Sequence, residues 1–536
     1  MEIISAQAAI QKYVTSGATV AVEGFIGLMK PEELILALRD RFLQTGKPRD
    51  LTIVHCAGQG DGTSPGCGIN RLALEGLVSR IIASHFAMAP DMQRLILENK
   101  IAGYNLPQGV ISHLYRDIAQ GLPGNVTHVG LGTFVDPELQ GGKLNEKACQ
   151  AGEIVERIAI DGKTYLLYRA FPIDVVFLRA TSCDAKGNCS MEREPVTLEV
   201  TAMAQAAKNS GGKVLVQVER VSDAPLDPRS VKIPGCLVDA VVVAKPENHR
   251  MTNDFDFNPA FIGSAARNLK DSRQEAVGSR QNSRNSQLAT RNSFDVRRFI
   301  AQRAAKELVP GAVVNLGIGM PEEISAVAAD EGISDLVLTT ESGTIGGYPA
   351  SGGSFGAAAF PDCILTQPEQ FDFYDGGGLD IAFLGMAQLD RFGNVNVSKF
   401  SSKLAGCGGC INITQNAKRV VFCGTITSGG LKVDFQDGRL KILQEGKIKK
   451  FVRDVEQITF SGRRAAETKQ DVMYITERAT FRLIDGVVTL TELAPGVDLD
   501  RDVLSLIEFQ IKVSCELRVA RNLLHIIGFL NTKNTK

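Results

Sequence analysis

The chain is short of most features that would assign it to a specialised class. It has no excess of charge. Lys+Arg number 59 against 60 Asp+Glu, a net charge of -1, which removes the electrostatic case for nucleic acid or an anionic membrane as partner. No apolar run approaches the ~18 residues that span a bilayer. Met1 to Ala9 lacks the basic-then-apolar order of a signal peptide. Histidine is scarce, with six residues, none of them paired at metal-ligand spacing. The 11 cysteines are odd in number and scattered, which fits reduced thiols rather than a disulfide framework. Cys407-Gly408-Gly409-Cys410 is formally a CxxC. It has no second pair to complete a zinc ribbon, and it sits in a glycine loop where a thioredoxin-like motif would open a helix. The chain reads as cytoplasmic, without a metal or redox centre.

What is present points to a large α/β protein. A length of 536 residues exceeds a single core. A 44% hydrophobic and 22% charged composition is that of an ordinary globular chain, and its 53 glycines imply many tight strand-to-loop turns. Uninterrupted apolar strands are expected at Leu51 to Val54, Arg80 to Ser84, Lys213 to Val218, Ala240 to Ala244, Val313 to Leu316, Leu336 to Leu338, Ile381 to Leu384 and Arg419 to Cys423. Helical patterns fall between them at Glu32 to Arg41, Asp91 to Glu98, Val200 to Asn209 and Glu322 to Asp330. That alternation predicts buried, mostly parallel sheets. Asp437-Gly438, Glu445-Gly446 and Asp485-Gly486 read as turns of antiparallel hairpins added to the second sheet.

The organisation is a degenerate tandem duplication. Asp174, Leu178, Asp184, Gly187 and Asn188 recur at a constant offset as Asp380, Leu384, Asp390, Gly393 and Asn394. Gly17 through Pro31-Glu32-Glu33 is echoed, with a shorter loop, by Gly311 through Pro321-Glu322-Glu323. Each copy reads as strand, glycine loop, then a helix opening near Pro, with acidic residues suited to its dipole. Three parts follow: an N-terminal α/β domain over 1–265, a polar linker over 266–295 and a C-terminal α/β domain over 296–536. The linker is rich in Arg, Ser, Asn and Gln but has no interleaved aromatics, which favours a solvated connection over a nucleic-acid arm.

The most informative segment is Leu338-Thr339-Thr340-Glu341-Ser342-Gly343-Thr344-Ile345-Gly346-Gly347. An apolar strand leads into one carboxylate, and glycines follow at once. Bare backbone lets a ligand approach, so Glu341 reads either as a carboxylate nucleophile or as a surface Glu in a glycine turn. In a parallel sheet it would lie beyond the carboxyl ends of the strands, where ligands bind. Two further loops admit a functional reading beside simple tight turning. Gly317-Ile318-Gly319 stands between a strand and a helix, a setting that suits a phosphate. Glu322 takes the place of the third glycine in GxGxxG, which argues against a nicotinamide enzyme. Gly406-Cys407-Gly408-Gly409 could offer backbone N–H groups to an oxyanion.

Taken with Phe371 through Asp375-Gly376-Gly377-Gly378-Leu379-Asp380, Tyr104-Asn105-Leu106-Pro107-Gln108-Gly109 and Gly130 through Asp136-Pro137 to Asn145, these segments resemble the family I CoA-transferases. The likeness is to the fused-chain branch acting on short-chain acyl-CoAs, and it runs from about Ser5 to Asp500. The resemblance implies the CoA-transferase fold and ping-pong transfer of CoA between acids such as acetate and propionate. Glu341 would form an acyl anhydride and then a glutamyl-CoA thioester. Gly317, Ile318 and Gly319 would contact CoA. Gly408 and Gly409 would donate N–H groups to the oxyanion and lie near CoA, and Gln108 would reach the acyl pocket. A carboxylate with a reference pKa of about 4.3 is already ionised at neutral pH, so no cofactor is needed and CoA is a substrate. The implied partners are acyl-CoA, short-chain carboxylates and further copies of the chain. Two alternatives use the same scaffold: an acyl-CoA hydrolase, and a non-catalytic CoA-binding module. Glu23 and Cys410 depart from the family pattern, which has more glycine at the first position and often Phe at the second.

Overall fold

A computed structural model describes residues 1–264, 295–333, 335–400 and 403–520. The linker expected at 266–295 lies outside the described residues except for Asp295, whose carboxylate caps the helix Val296–Ala305. The described residues fall into two units. The first takes those within Met1–Asn285, Leu338–Gly376 and Ser398–Asn412, and the second takes those within Ser286–Val337, Gly377–Val397 and Ile413–Lys536. The segments carrying Glu341 and the 406–409 loop thus belong to the first unit with Gln108, and the Gly317–Gly319 loop belongs to the second.

The first unit is built on a ten-stranded sheet. Its long path runs Glu2–Ile3, Ala240–Val243, Lys213–Val221, Val175–Cys183, Thr19–Val22, Leu51–His55, Val78–Ala83 and Ala102–Asn105, every neighbouring pair being parallel. The central strand Val175–Cys183 is buried along its whole length. Apolar runs on both faces call for cover on both sides. Helices such as Glu32–Thr45, Gln108–Gln120 and Val200–Asn209 contribute Leu34, Leu38, Val110, Leu114 and Met203 to the cores.

In the second unit Val313–Leu316, Ile381–Gly385, Arg419–Cys423 and Asp471–Ile475 form a parallel series. Ala479–Ile484 and Val487–Leu493 extend it as an antiparallel hairpin. Asp485 and Gly486 turn that hairpin with φ of 51° and 75°, the left-handed pair that a two-residue connection requires. Asp437 and Gly438 repeat it at 52° and 75°. Their hairpin, however, is a separate two-stranded ribbon of Lys432–Gln436 and Arg439–Gln444 and not an addition to the large sheet. The expected strands and helices therefore sit close to where periodicity placed them, and the fold is α/β with mostly parallel sheets.

The duplicated residues perform duplicated tasks. Asp174 accepts the N–H of Thr19 at 2.7 Å, and Asp380 accepts that of Val313 at 2.8 Å, each at the start of a neighbouring strand. Asp184 and Asp390 both close a Gly-Asn turn, accepting main-chain N–H groups from Lys186 and Asn188 in one case and Phe392 and Asn394 in the other. Asn188 and Asn394 then accept the amides of Gly235 and Gly462. Buried backbone donors need partners, so this shared wiring explains why these positions persisted while the surrounding sequence diverged.

Candidate active site

Glu341 sits in the turn between strands Val337–Thr339 and Thr344–Ile345. The Gly343 N–H donates to the Thr340 carbonyl at 3.1 Å, and the Thr340 N–H to the Thr344 carbonyl at 3.0 Å. Thr340 Oγ1 bonds Ser342 Oγ at 2.8 Å and Thr344 Oγ1 at 2.6 Å, and Ser342 Oγ donates to the Gly356 carbonyl. Tyr374, in the helix Gln367–Asp375, donates to Thr339 Oγ1 at 2.8 Å. The hydroxyls around the carboxylate are thus bonded to one another, which pins the turn. Ser342 and Thr344 are fully buried, and Glu341 keeps 9% of its surface.

Two glycines make that turn possible. Gly343 has φ of 116°, and a Cβ there would collide with the Leu365 carbonyl. Gly346 has φ of 74°, and its Cβ would meet the Asp362 carboxylate. Any side chain would break the close packing of 343–346 against 362–365, where Leu365 N–H donates to Gly343 O at 2.8 Å.

Gln108 opens the helix Gln108–Gln120, directly after Pro107, and is 2% exposed. The first amides of a helix lack internal acceptors, and residues distant in sequence satisfy them here. Gln108 N–H donates to Gly408 O at 3.0 Å, and Gly109 N–H to Asn412 Oδ1 at 3.0 Å. Asn412 in turn donates to Asp375, also at 3.0 Å. Burial lifts the Asp375 carboxyl to about 6, against the opposing pull of nearby His113. The Gln108 side chain meets Gln367, which lies just past the segment packed on the Glu341 turn. The structure therefore ties together the turn of Glu341, Gln108 and the Gly408 loop.

The glycine loops do not present rows of open amides. Gly406 N–H goes to Ser398 O, Cys407 N–H to Asn105 Oδ1 at 3.0 Å and Gly408 N–H to Ser84 O at 2.8 Å. Gly409 follows, ahead of the helix Cys410–Asn416, and its N–H meets no main-chain acceptor among the described residues. Gly408 serves as a point of close approach. A Cβ there would lie 3.8 Å from His85 Cδ2 and 4.0 Å from Gln108 Oε1. In the second unit Gly317 N–H donates to Phe383 O at 2.8 Å and Gly319 N–H to Glu322 Oε1 at 2.8 Å, while Ile318 is exposed. Glu322, at the position of the third glycine in GxGxxG, therefore closes the loop internally.

His85, Asn105, Cys56 and Gln367 also belong to this neighbourhood; Asn105 stands in the Tyr104–Gly109 segment, and nothing in the local sequence marks the other three. His85 is partly buried beside Gly408, and burial lowers its imidazole to about 4, leaving it neutral. Cys407 is buried with its thiol on the Leu106 carbonyl at 3.4 Å. Desolvation pushes that thiol well above its usual range, the opposite of a reactive thiolate. None of the 11 cysteines is in a disulfide. Among the described residues no cluster of His, Cys, Asp or Glu is placed to hold a metal ion, and no helix is long and apolar enough to cross a membrane.

Comparison with known proteins gives a consistent picture. The family model described as Coenzyme A transferase matches residues 3–244. Acetate CoA-transferase YdiF of Escherichia coli (strain K12) is 41% identical over 534 residues, covering 98% of this chain and 96% of its own. Caffeate CoA-transferase of Acetobacterium woodii is 42% identical over 525 residues, covering 96% of each. Crystal structures of the acyl-CoA transferase YdiF from Escherichia coli O157:H7 align with TM-scores of 0.87 for the apoenzyme and 0.86 for a thioester complex with CoA. Both are at 40% identity and cover 97% of this chain and 95% of theirs.

Proposed function

Because the chain belongs to the coenzyme A transferase family, we propose that it moves CoA between short-chain carboxylic acids, acetate and propionate among them, through a thioester on Glu341. It is an enzyme of the CoA-transferase class. A Glu341 carboxylate oxygen attacks the thioester carbonyl carbon, the carbon–sulfur bond breaks, and CoA leaves as the thiolate. The thiolate then attacks the Glu341 carboxyl carbon of the mixed anhydride, expelling the first acid as its carboxylate. A second carboxylate reverses both steps. Each nucleophile is already an anion, so no base is needed and no proton changes hands.

The pinned Glu341 turn carries this assignment: one carboxylate, on a residue that keeps 9% of its surface, held on a loop whose hydroxyls bond among themselves. Rigid placement of the attacking group lowers the entropic part of the barrier. For the oxyanion we assign the donor to the Gly409 N–H, and to the acyl pocket the Gln108 side chain. Gly408 takes the role of bare backbone beside the thioester, and Gly317, Ile318 and Gly319 that of contacts to CoA. The thioester complex known for the YdiF protein supports the covalent route. Cytoplasmic location and a homo-oligomeric state belong to the same proposal, as does the division into domains 1–265 and 296–536.

The test is intact mass after incubation with propionyl-CoA and no acceptor acid, followed by peptide mapping. A CoA-sized adduct on Glu341 that acetate discharges as acetyl-CoA is expected, and Glu341→Gln should abolish it. An adduct that decays equally fast in plain buffer would make the chain a hydrolase instead.

A further inference from the structure

Asp375 stands in the segment from Phe371 to Asp380 that the family resemblance picks out, yet no step of the transfer uses it. It is the last residue of the helix Gln367–Asp375. Its two carboxylate oxygens both accept Asn412 Nδ2 at 3.0 Å. Asn412 Oδ1 accepts the Gly109 N–H, also at 3.0 Å. Asn412 is fully buried, so a carboxylate, a side-chain amide and a helix start are joined in one line.

The orientation of Asn412 is forced from both sides. A main-chain N–H can only donate and a carboxylate can only accept. The amide oxygen must therefore face Gly109, and the NH2 end must face Asp375. His113 Nδ1 stands off at 3.9 Å from the same carboxylate. The fit around Asn412 is close: a Cβ on Gly109 would lie 2.5 Å from its Nδ2 and 2.6 Å from the Phe371 ring.

The bond from Gly109 is one of two that grip the chain on either side of Gly409. The other runs from the Gln108 N–H to the Gly408 carbonyl at 3.0 Å. In a trans peptide the C=O of one residue and the N–H of the next share a plane and point opposite ways. Holding the Gly408 carbonyl therefore turns the Gly409 N–H away from the start of the helix Gln108–Gln120. A single bond would leave the segment free to pivot, and the second, made by Asn412, removes that freedom.

We propose that Asp375 is a positioning residue for CoA transfer: by fixing the Asn412 amide it locks residues 408–412 onto that helix start and so aims the Gly409 N–H. This rests on the assignment of that N–H to the oxyanion made above. Asp375 itself touches no substrate. A donor aimed in advance needs no rearrangement when the oxyanion forms.

The test is turnover with propionyl-CoA and acetate, read beside the rate of Glu341 adduct formation by intact mass, in variants confirmed folded by thermal melt. Asp375→Ala should lower kcat about tenfold or more while KM for the acyl-CoA changes little. Asp375→Asn keeps an acceptor oxygen and should retain most of kcat. The double variant Asp375→Ala/Asn412→Ala should be no slower than Asn412→Ala alone. Asn412→Asp sets two carboxylates face to face and should be slow. Adding Asp375→Asn to it supplies an NH2 to the new carboxylate and should recover most of the loss. Normal kcat in Asp375→Ala, a loss confined to KM, or losses that multiply in the double variant would overturn the role of Asp375 while the wild-type Glu341 adduct stands. Absence of that adduct in the wild type brings down the transfer reading, and this role with it. Should Asp375→Ala not fold, the Asn412→Asp variants decide: a loss that Asp375→Asn does not repair overturns the proposal.

Discussion

The Gly408 N–H donates to the Ser84 carbonyl at 2.8 Å. That bond turns the amide toward the strand Val78–Ala83 and its continuation, and occupies it. It gives Gly408 a different reason to be glycine from the one its neighbours suggest. Its φ is 52°, and a Cβ would meet only His85 and Gln108, both at ordinary contact distance. Gly408→Ala should therefore lower stability by only about 1 kcal/mol, the left-handed penalty. The added methyl would stand between His85 and Gln108, and kcat/KM should fall at least about tenfold. Thermal melts and steady-state rates check both halves; unchanged kcat/KM would remove Gly408 from the substrate's path.

Gly343 makes the contrasting case. With φ of 116° and the Leu365 carbonyl occupying the space of a Cβ, Gly343→Ala cannot keep the turn. Strain of about 1–3 kcal/mol is expected, together with complete loss of the Glu341 adduct by mass. Gly319→Ala, at φ of 91° with nothing within 4 Å, should keep the fold. Adduct formation in Gly343→Ala at the wild-type rate would show that the turn geometry is dispensable.

Glu199 stands beside Tyr115 and shares a hydrogen bond with the Cys56 thiol, while its Oε2 is buried without one. Burial pushes its carboxyl up to about 8. Below the ordinary carboxylate range both folded and unfolded forms hold the proton, so the group contributes nothing to pH dependence. Above it the unfolded chain releases the proton while the folded chain keeps it, and stability falls as pH rises. The fall ends near pH 8, where the folded group also ionises. Glu199→Gln lacks this loss, so its stability relative to wild type should grow with pH between about 5 and 8, by at most ~1.4 kcal/mol per unit. Parallel urea-melt stabilities for the two proteins across that range would refute the assignment.

Arg179 and Glu194 form a buried pair at 3.0 Å. Despite full burial, the guanidinium and His249 hold the Glu194 carboxyl at about 2. Removing one partner leaves the other charged and dry, so Glu194→Ala should cost about 3–5 kcal/mol. Replacing both, as Glu194→Met with Arg179→Met, should recover much of that loss. Denaturant midpoints decide it; a Glu194→Ala change under ~1 kcal/mol would mean water reaches the pair.

Much of the fold was legible because its signals are local. Apolar strands, Gly-Asn turns and Pro-Glu helix starts are written in consecutive residues, and Asp437-Gly438 or Asp485-Gly486 specify a left-handed turn wherever they stand. The hairpin at Asp437 is legible in its turn residues, but its independence from the large sheet is not, because pairing partners are not encoded in the turn. Glu341 was conspicuous for the same local reason: a strand, a carboxylate, then glycines. The amide inventory of the glycine loops was not legible. A Gly-x-Gly segment advertises conformational freedom, yet whether its N–H groups face a ligand or a carbonyl depends on which strand packs beside it.

Sequence by itself determined the α/β class, the duplicated Asp and Asn positions, and the carboxylate on a glycine turn, since each is set by side-chain period or by backbone freedom over a few residues. Only the tertiary structure decided what surrounds that carboxylate. Gln367 lies 259 residues from Gln108 and 311 from Cys56, and no period or motif links them. Their contacts exist because packing buries these polar side chains together, and buried polar groups must find partners wherever the fold supplies them.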